Sequence, residues 1–92
     1  MSDPPLPAPD AISATILALA EARGRSDGPG ASISPDEVAQ ALAPEWRPLL
    51  GRVRRAAAAL AAEGRIDILR KGKPVDPAEL RGVVRLRLRP AP

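Results

Sequence analysis

The sequence predicts a small α+β domain, three helices followed by a two- or three-stranded antiparallel sheet. Three observations carry that expectation. The chain has 92 residues, enough for one domain with a modest core. Its apolar residues recur at helical spacing as far as Gly64 and alternate afterwards. Two breaks, Gly24 to Gly30 and Ala43-Pro44, divide the helical part into three.

The elements follow in order. Residues 1–9 hold four prolines and read as a disordered arm ahead of a domain at 10–89, with 90–92 as a tail. Asp10 suits the cap of a first helix, in which Ile12, Ile16, Leu19 and Ala20 make one apolar stripe. Gly24 is its expected stop, and GRSDGPG its expected loop. Ala31-Ser32-Ile33 reads as a very short strand. Ser34-Pro35-Asp36-Glu37 is the strongest local signal. The Ser34 hydroxyl accepts from the Glu37 N–H, the Glu37 carboxylate accepts from the Ser34 N–H, and proline suits the first helical position. The second helix buries Val38 and Leu42 and ends before Pro44.

A third helix starts between Glu45 and Pro48, because proline is tolerated only in the first turn, and ends at Gly64. At 100° per residue, Trp46, Leu49, Leu50, Val53, Ala56, Ala57, Leu60 and Ala61 fall on one face. Arg47, Gly51, Arg54, Arg55 and Ala58 fall on the other, with Arg52 to the side near Glu63. The strand at 65–70 alternates Ile66 and Ile68 with polar residues. The last strand alternates Val84, Leu86 and Leu88 with Arg85, Arg87 and Arg89. The segment between them, residues 71–82, is long for a hairpin loop, and Asp76 can cap a short helical turn there. Helix, short strand, two helices across a tight break, then a hairpin: this order describes a winged helix-turn-helix.

Composition removes several classes of chemistry. There is no cysteine and no histidine, so neither a disulfide scaffold nor a thiolate or imidazole metal site is expected. The start carries no signal-peptide pattern and no apolar run is long enough to span a bilayer. A soluble cytoplasmic protein without membrane contact is the expectation. Ser34 reads as a cap rather than a nucleophile, and the carboxylates are dispersed rather than clustered for Mg²⁺. Gly24, Gly28 and Gly30 lack the Lys-Ser/Thr partner of a phosphate loop. No enzyme, cofactor or metal is expected.

Several strings resemble a family of small bacterial proteins known only as a domain of unknown function. They are Ser34-Pro35-Asp36-Glu37-Val38-Ala39, Ala43-Pro44-Glu45-Trp46-Arg47-Pro48-Leu49, Ala59-Leu60-Ala61-Ala62-Glu63-Gly64-Arg65-Ile66, Lys71-Gly72-Lys73-Pro74-Val75-Asp76-Pro77 and Gly82-Val83-Val84-Arg85-Leu86-Arg87. The likeness covers about residues 10–89 and implies a winged-helix fold. It implies no activity. Some members carry an added cysteine-rich unit, which is missing here.

Charge supplies the functional expectation. The net charge is +3. Residues 1–45 hold two arginines against seven acids, a net −5, and residues 46–92 hold twelve Lys and Arg against four acids, a net +8. One reading is a polyanion footprint. The other is GC-rich codon usage, since arginine outnumbers lysine 12 to 2. In helix-turn-helix proteins the second helix of the motif enters the major groove. Double-stranded DNA is therefore the first expected partner, contacted by Arg47, Arg54 and Arg55 of the third helix and by Lys71 and Lys73 of a Lys-Gly-Lys wing. Arg85 and Arg87 join them only if their face of the strand adjoins the helix. The alternative is a protein-interaction module without nucleic-acid binding. Trp46 shares a face with Leu49, Leu50 and Val53 and reads as a core anchor; a single aromatic residue argues against single-strand stacking.

Overall fold

A computed structural model of the chain describes residues 8–28, 30–80 and 82–89. Most of the expected arm, residues 1–7, and the whole expected tail, residues 90–92, lie outside them. Helix α1 spans Pro9–Asp27, α2 Pro35–Leu42 and α3 Leu50–Ala62, with a 3-10 turn, Arg47–Leu49, leading into α3. Strand β1 is Ile66–Arg70, β2 Lys73–Pro74 and β3 Arg85–Leu88, and a second 3-10 turn, Pro77–Glu79, lies between β2 and β3. This is the α+β arrangement expected, three helices and a three-stranded antiparallel sheet of winged-helix type.

The sheet order is β2-β1-β3. Ile68 faces Leu86 and Asp67 faces Arg87 across β1 and β3. Ile33 extends the sheet on the far side of β3, exchanging both backbone hydrogen bonds with Leu86 at 2.8 and 2.7 Å. The helices pack on one sheet face. The core joins Ile12, Ile16 and Ala20 of α1 to Val38, Val53, Ala57, Leu60, Ile66, Ile68 and Leu86, with Trp46 half-buried against it.

Local signals explain most boundaries. The Ser34 capping box forms, Ser34 Oγ accepting from the Glu37 N–H at 3.1 Å and Glu37 Oε2 from the Ser34 N–H at 2.6 Å. Ala43 is extended ahead of Pro44, which ends α2. After α3, Gly64 adopts φ 77° while its N–H bonds Ala61 O and the Arg65 N–H bonds Leu60 O, the two bonds of a Schellman stop. A Cβ there would sit 3.1 Å from Arg89 Nη1, the movable end of an exposed side chain, so it is the positive φ that asks for glycine.

Three expectations are corrected. Asp10 is not the cap of α1: Ala8 holds that position, Pro9 opens the helix, and Asp10 lies in the first turn, where it complements the dipole. Gly24 does not stop α1, which continues to Asp27 and turns at Gly28, φ 100°. Two i, i+4 ion pairs bridge the helical glycine and offset its cost, Arg23 with Asp27 at 3.6 Å and Arg25 with Glu21 at 2.7 Å. Finally, residues 71–82 are not one long loop. Lys71 (φ 52°) and Gly72 (φ 79°) form a two-residue hairpin of I′ geometry joining β1 to β2, and the chain then folds back over α3. Asp76 caps the 3-10 turn as expected, its Oδ1 accepting from the Ala78 N–H at 2.8 Å.

Candidate nucleic-acid interface

The outer side of α3 is set by what packs on its flanks. Core contacts take Val53, Ala57 and Leu60. Helix α1 lies along the side that carries Arg52 and Ala56, and the Pro77–Glu79 turn packs against α3 as well. What remains exposed is a ridge of Arg47, Pro48, Gly51, Arg55 and Ala59. The expected outward face is thus modified. Arg54 and Ala58 are half-buried, and Arg54 Nη2 donates to the Gly82 carbonyl at 3.1 Å.

Each remaining cation has a definite setting. The Arg47 guanidinium carbon sits 4.6 Å from the centre of the Trp46 ring, a cation–π contact that holds it at the head of α3. Arg55 Nε donates to the Gly51 carbonyl at 3.3 Å, which lays its side chain along the ridge. Lys71 and Lys73 are exposed on either side of Gly72 in the hairpin. Arg85 and Arg87 lie on the sheet face turned away from the helices, because Val84 and Leu86 alternate with them into the core. Arg85 donates to Ser32 Oγ at 3.0 Å and to Ser32 O at 2.8 Å. Arg87 pairs with Asp67 at 2.8 Å, Arg89 approaches the same carboxylate at 3.4 Å, and Arg87 Nε is buried without a partner. The condition for counting Arg85 and Arg87 with the helix, a shared face, is not met.

The charges therefore sort by region. Arg23, Arg25, Arg87 and Arg89 sit in ion pairs with Glu37 and Asp27, Glu21, and Asp67. Among the described residues, Arg47, Arg52, Arg54, Arg55, Arg65, Lys71, Lys73 and Arg85 have no carboxylate within ion-pair distance, Arg85 being held by Ser32. The pairing of Arg23 with Glu37 also moves the titration of both groups. Burial pushes the Glu37 carboxyl up, but the Ser34 N–H and Arg23 outweigh it and hold it below the ordinary carboxylate value. The hydrogen bond and charge of Glu37 raise the Arg23 guanidinium in turn.

Acids mark the ends of the ridge, and a further one, Glu79, is exposed in the turn packed against α3. Glu45 precedes the 3-10 turn and Glu63 follows α3, both exposed. Asp67 is neutralised on the opposite sheet face. Leu69 is buried and Val75 half-buried, so neither makes an exposed apolar patch. Sequence reasoning placed Arg52 beside Glu63 but missed that Arg52 and Arg55 share a cleft against α1; their i, i+3 spacing was the available signal. No group of three or more Asp, Glu, His or Cys side chains among the described residues is placed to hold a metal ion. No described helix is long and apolar enough to cross a membrane.

Residues 9–89 match the model of a family described as a protein of unknown function, DUF3253, and the chain belongs to that family. The match agrees with the likeness read from the sequence and assigns no activity. No curated protein matches the chain.

Proposed function

We propose that this member of a family of unknown function is a non-enzymatic module that binds double-stranded DNA in the cytoplasm. The contacts come from the head of α3 and the Lys71-Gly72-Lys73 turn. One observation carries the reading: Arg23 and Arg25 of α1 and Arg87 and Arg89 of the sheet stand in ion pairs and Arg85 is held by Ser32, while Arg47 and Arg55 of the ridge and Lys71 and Lys73 of the hairpin have no carboxylate within ion-pair distance among the described residues. Arginine on an exposed helix ridge suits bidentate contact with phosphate or guanine. Gly51, between Arg47 and Arg55, leaves low relief where a duplex would approach. Arg54 contributes less than its charge suggests, because it is tied to Gly82. Arg85 and Arg87 act in the sheet and not on the duplex.

The test is fluorescence anisotropy of a labelled random duplex at about 50 and about 200 mM salt. Four phosphate contacts, from Arg47, Arg55, Lys71 and Lys73, give a log–log slope of about −3.6, a loss of roughly 150-fold over that range. Alanine at all four positions is expected to abolish binding, whereas Arg85→Ala leaves it unchanged. Absence of binding at the lower salt overturns the reading.

A second reading, a protein-docking module, is favoured by the segment that folds over α3. It ties down Arg54 and presents Val83, 88% exposed, beside Gly82. Capture of a protein partner that Val83→Asp releases, with no duplex binding, is the result that selects it.

A further inference from the structure

The sheet face turned away from the helices carries an uneven charge. Arg85, Arg87 and Arg89 stand on it at alternate positions of β3 and just beyond, with about 7 Å from one Cα to the next. Arg65 lies across from Arg89, whose N–H donates to the Arg65 carbonyl at 3.1 Å, and Asp67 lies across from Arg87. Four arginines thus share the face with one carboxylate. That carboxylate serves both Arg87, at 2.8 Å, and Arg89, at 3.4 Å, and its side chain is 11% exposed. The acid at the Ser32 rim, Glu37, is ion-paired with Arg23, and Glu63 lines the cleft between α1 and α3 on the helix side. Arg65, Arg85 and Arg89 are exposed.

We propose that this face docks an acidic, extended segment of a partner protein, with carboxylates at alternate residues lying over Arg65, Arg85, Arg87 and Arg89. The charges are complementary. Asp67 is one carboxylate between two guanidiniums, each a planar fork of N–H donors that matches carboxylate geometry. Arg65 has no carboxylate within ion-pair distance among the described residues. Ser32 engages Nε and Nη2 of Arg85, which fixes that fork without neutralising it. The spacing also matches. An extended peptide puts every second side chain on one face, a repeat of about 7 Å, the same as that of the arginines beneath it. Side chains already held by Asp67 and Ser32 lose little freedom on binding. Nucleic acid fits this face less well. Trp46, the sole aromatic residue, packs against the core, so bases find no stacking platform here. The arginines also lie along a sheet and not on a ridge that enters a groove. The face is separate from the α3 ridge, and the proposal does not rest on duplex binding there.

The test is an NMR titration of the ¹⁵N-labelled full chain, at about 50 mM salt, with a synthetic peptide in which glutamate alternates with serine. Docking predicts that the amide shifts of Arg65, Asp67, Arg87 and Arg89 move while those of Arg47, Arg55 and Lys71 stay. Arg65→Glu combined with Arg89→Glu is expected to weaken the peptide roughly tenfold. Both side chains are exposed, and unchanged shifts in the helical core show that the variant is folded. Alanine at Arg47, Arg55, Lys71 and Lys73 leaves the peptide bound. A peptide with the same glutamates in one run binds severalfold more weakly, because half of its carboxylates point away from the face. Absence of shifts at ~1 mM peptide overturns the proposal. So does movement confined to the α3 ridge and the hairpin, which makes the peptide a general polyanion at those cations. An oligothymidylate of equal charge that moves the same sheet amides at lower concentration also overturns it and assigns the face to nucleic acid.

Discussion

Two helical glycines separate stability from recognition. Gly24 and Gly51 lie inside α1 and α3, and neither has a positive φ. A Cβ at Gly24 meets nothing within 4 Å, and at Gly51 it meets only the far end of Arg55, at 3.8 Å. The fold therefore asks for glycine at neither position. Alanine replaces the most flexible backbone with the best helix former, which stabilises by about 1 kcal/mol at each site. For a domain of this size that is a rise in Tm of about 4–8 °C. The two positions are on different helices, so the gains are expected to add. The functional outcomes differ. Gly24→Ala leaves duplex affinity alone. Gly51→Ala puts a methyl group on the ridge between Arg47 and Arg55. Displacing one close contact there costs on the order of tenfold in Kd, about 1.4 kcal/mol. Thermal unfolding and anisotropy on the same two variants decide the matter. A Gly51→Ala protein that is more stable and binds duplex as well as wild type refutes close approach at Gly51. Two variants with unchanged Tm refute the helix argument itself.

Other perturbations test the fold. Ser34→Ala removes one arm of the capping box and is expected to cost about 1 kcal/mol, read by urea denaturation. Glu37 has a folded-state pKa below its unfolded value, so its contribution is present above the unfolded value and is lost as pH falls through the folded one. Stability of the wild type should therefore decline as pH drops below the ordinary glutamate range, and Glu37→Gln should flatten that decline in an acid titration followed by circular dichroism. Leu86→Ala, at a fully buried position joining Ile33 and β1, is expected to cost about 2–5 kcal/mol. Against a total of roughly 5–15 kcal/mol, that shows as a large drop in Tm. Asp67→Asn takes the carboxylate from Arg87 and Arg89 and should cost about 1–3 kcal/mol by chemical denaturation, without changing duplex affinity.

The elements legible in the sequence are those whose signal is local. The capping box at Ser34 needs only four consecutive residues, and the Schellman stop at Gly64 needs a single residue that tolerates φ 77°. The periodicity of Ile12, Ile16 and Ala20, and of Val53, Ala57 and Leu60, selects the buried faces directly. The end of α1 was not legible, because Gly24 is a plausible stop. What carries the helix past it are the i, i+4 ion pairs that bridge the glycine, Arg23 with Asp27 and Glu21 with Arg25, which a lone glycine read as a stop leaves out of account. The hairpin at Lys71-Gly72 was hidden for a different reason. A I′ turn favours Asn-Gly or Asp-Gly, and here lysine takes the first left-handed position.

The site divides along the same line. That Arg47 and Arg55 are exposed follows from helical geometry, which fixes angles within a turn or two. Whether an exposed arginine is available does not follow, because its partner can come from anywhere in the chain. Arg85, Arg87 and Arg89 alternate as a ladder of phosphate ligands would, and as a solvated strand would. Their actual partners are Ser32, 53 residues from Arg85, and Asp67, 20 residues from Arg87. The register that sets Asp67 opposite Arg87 also puts Ile68 opposite Leu86 in the core. A slip of one residue would turn the arginines inward and the leucines out. Core packing thus decides which sheet arginines are paired, and Arg47, Arg55, Lys71 and Lys73 are left exposed without a carboxylate partner among the described residues.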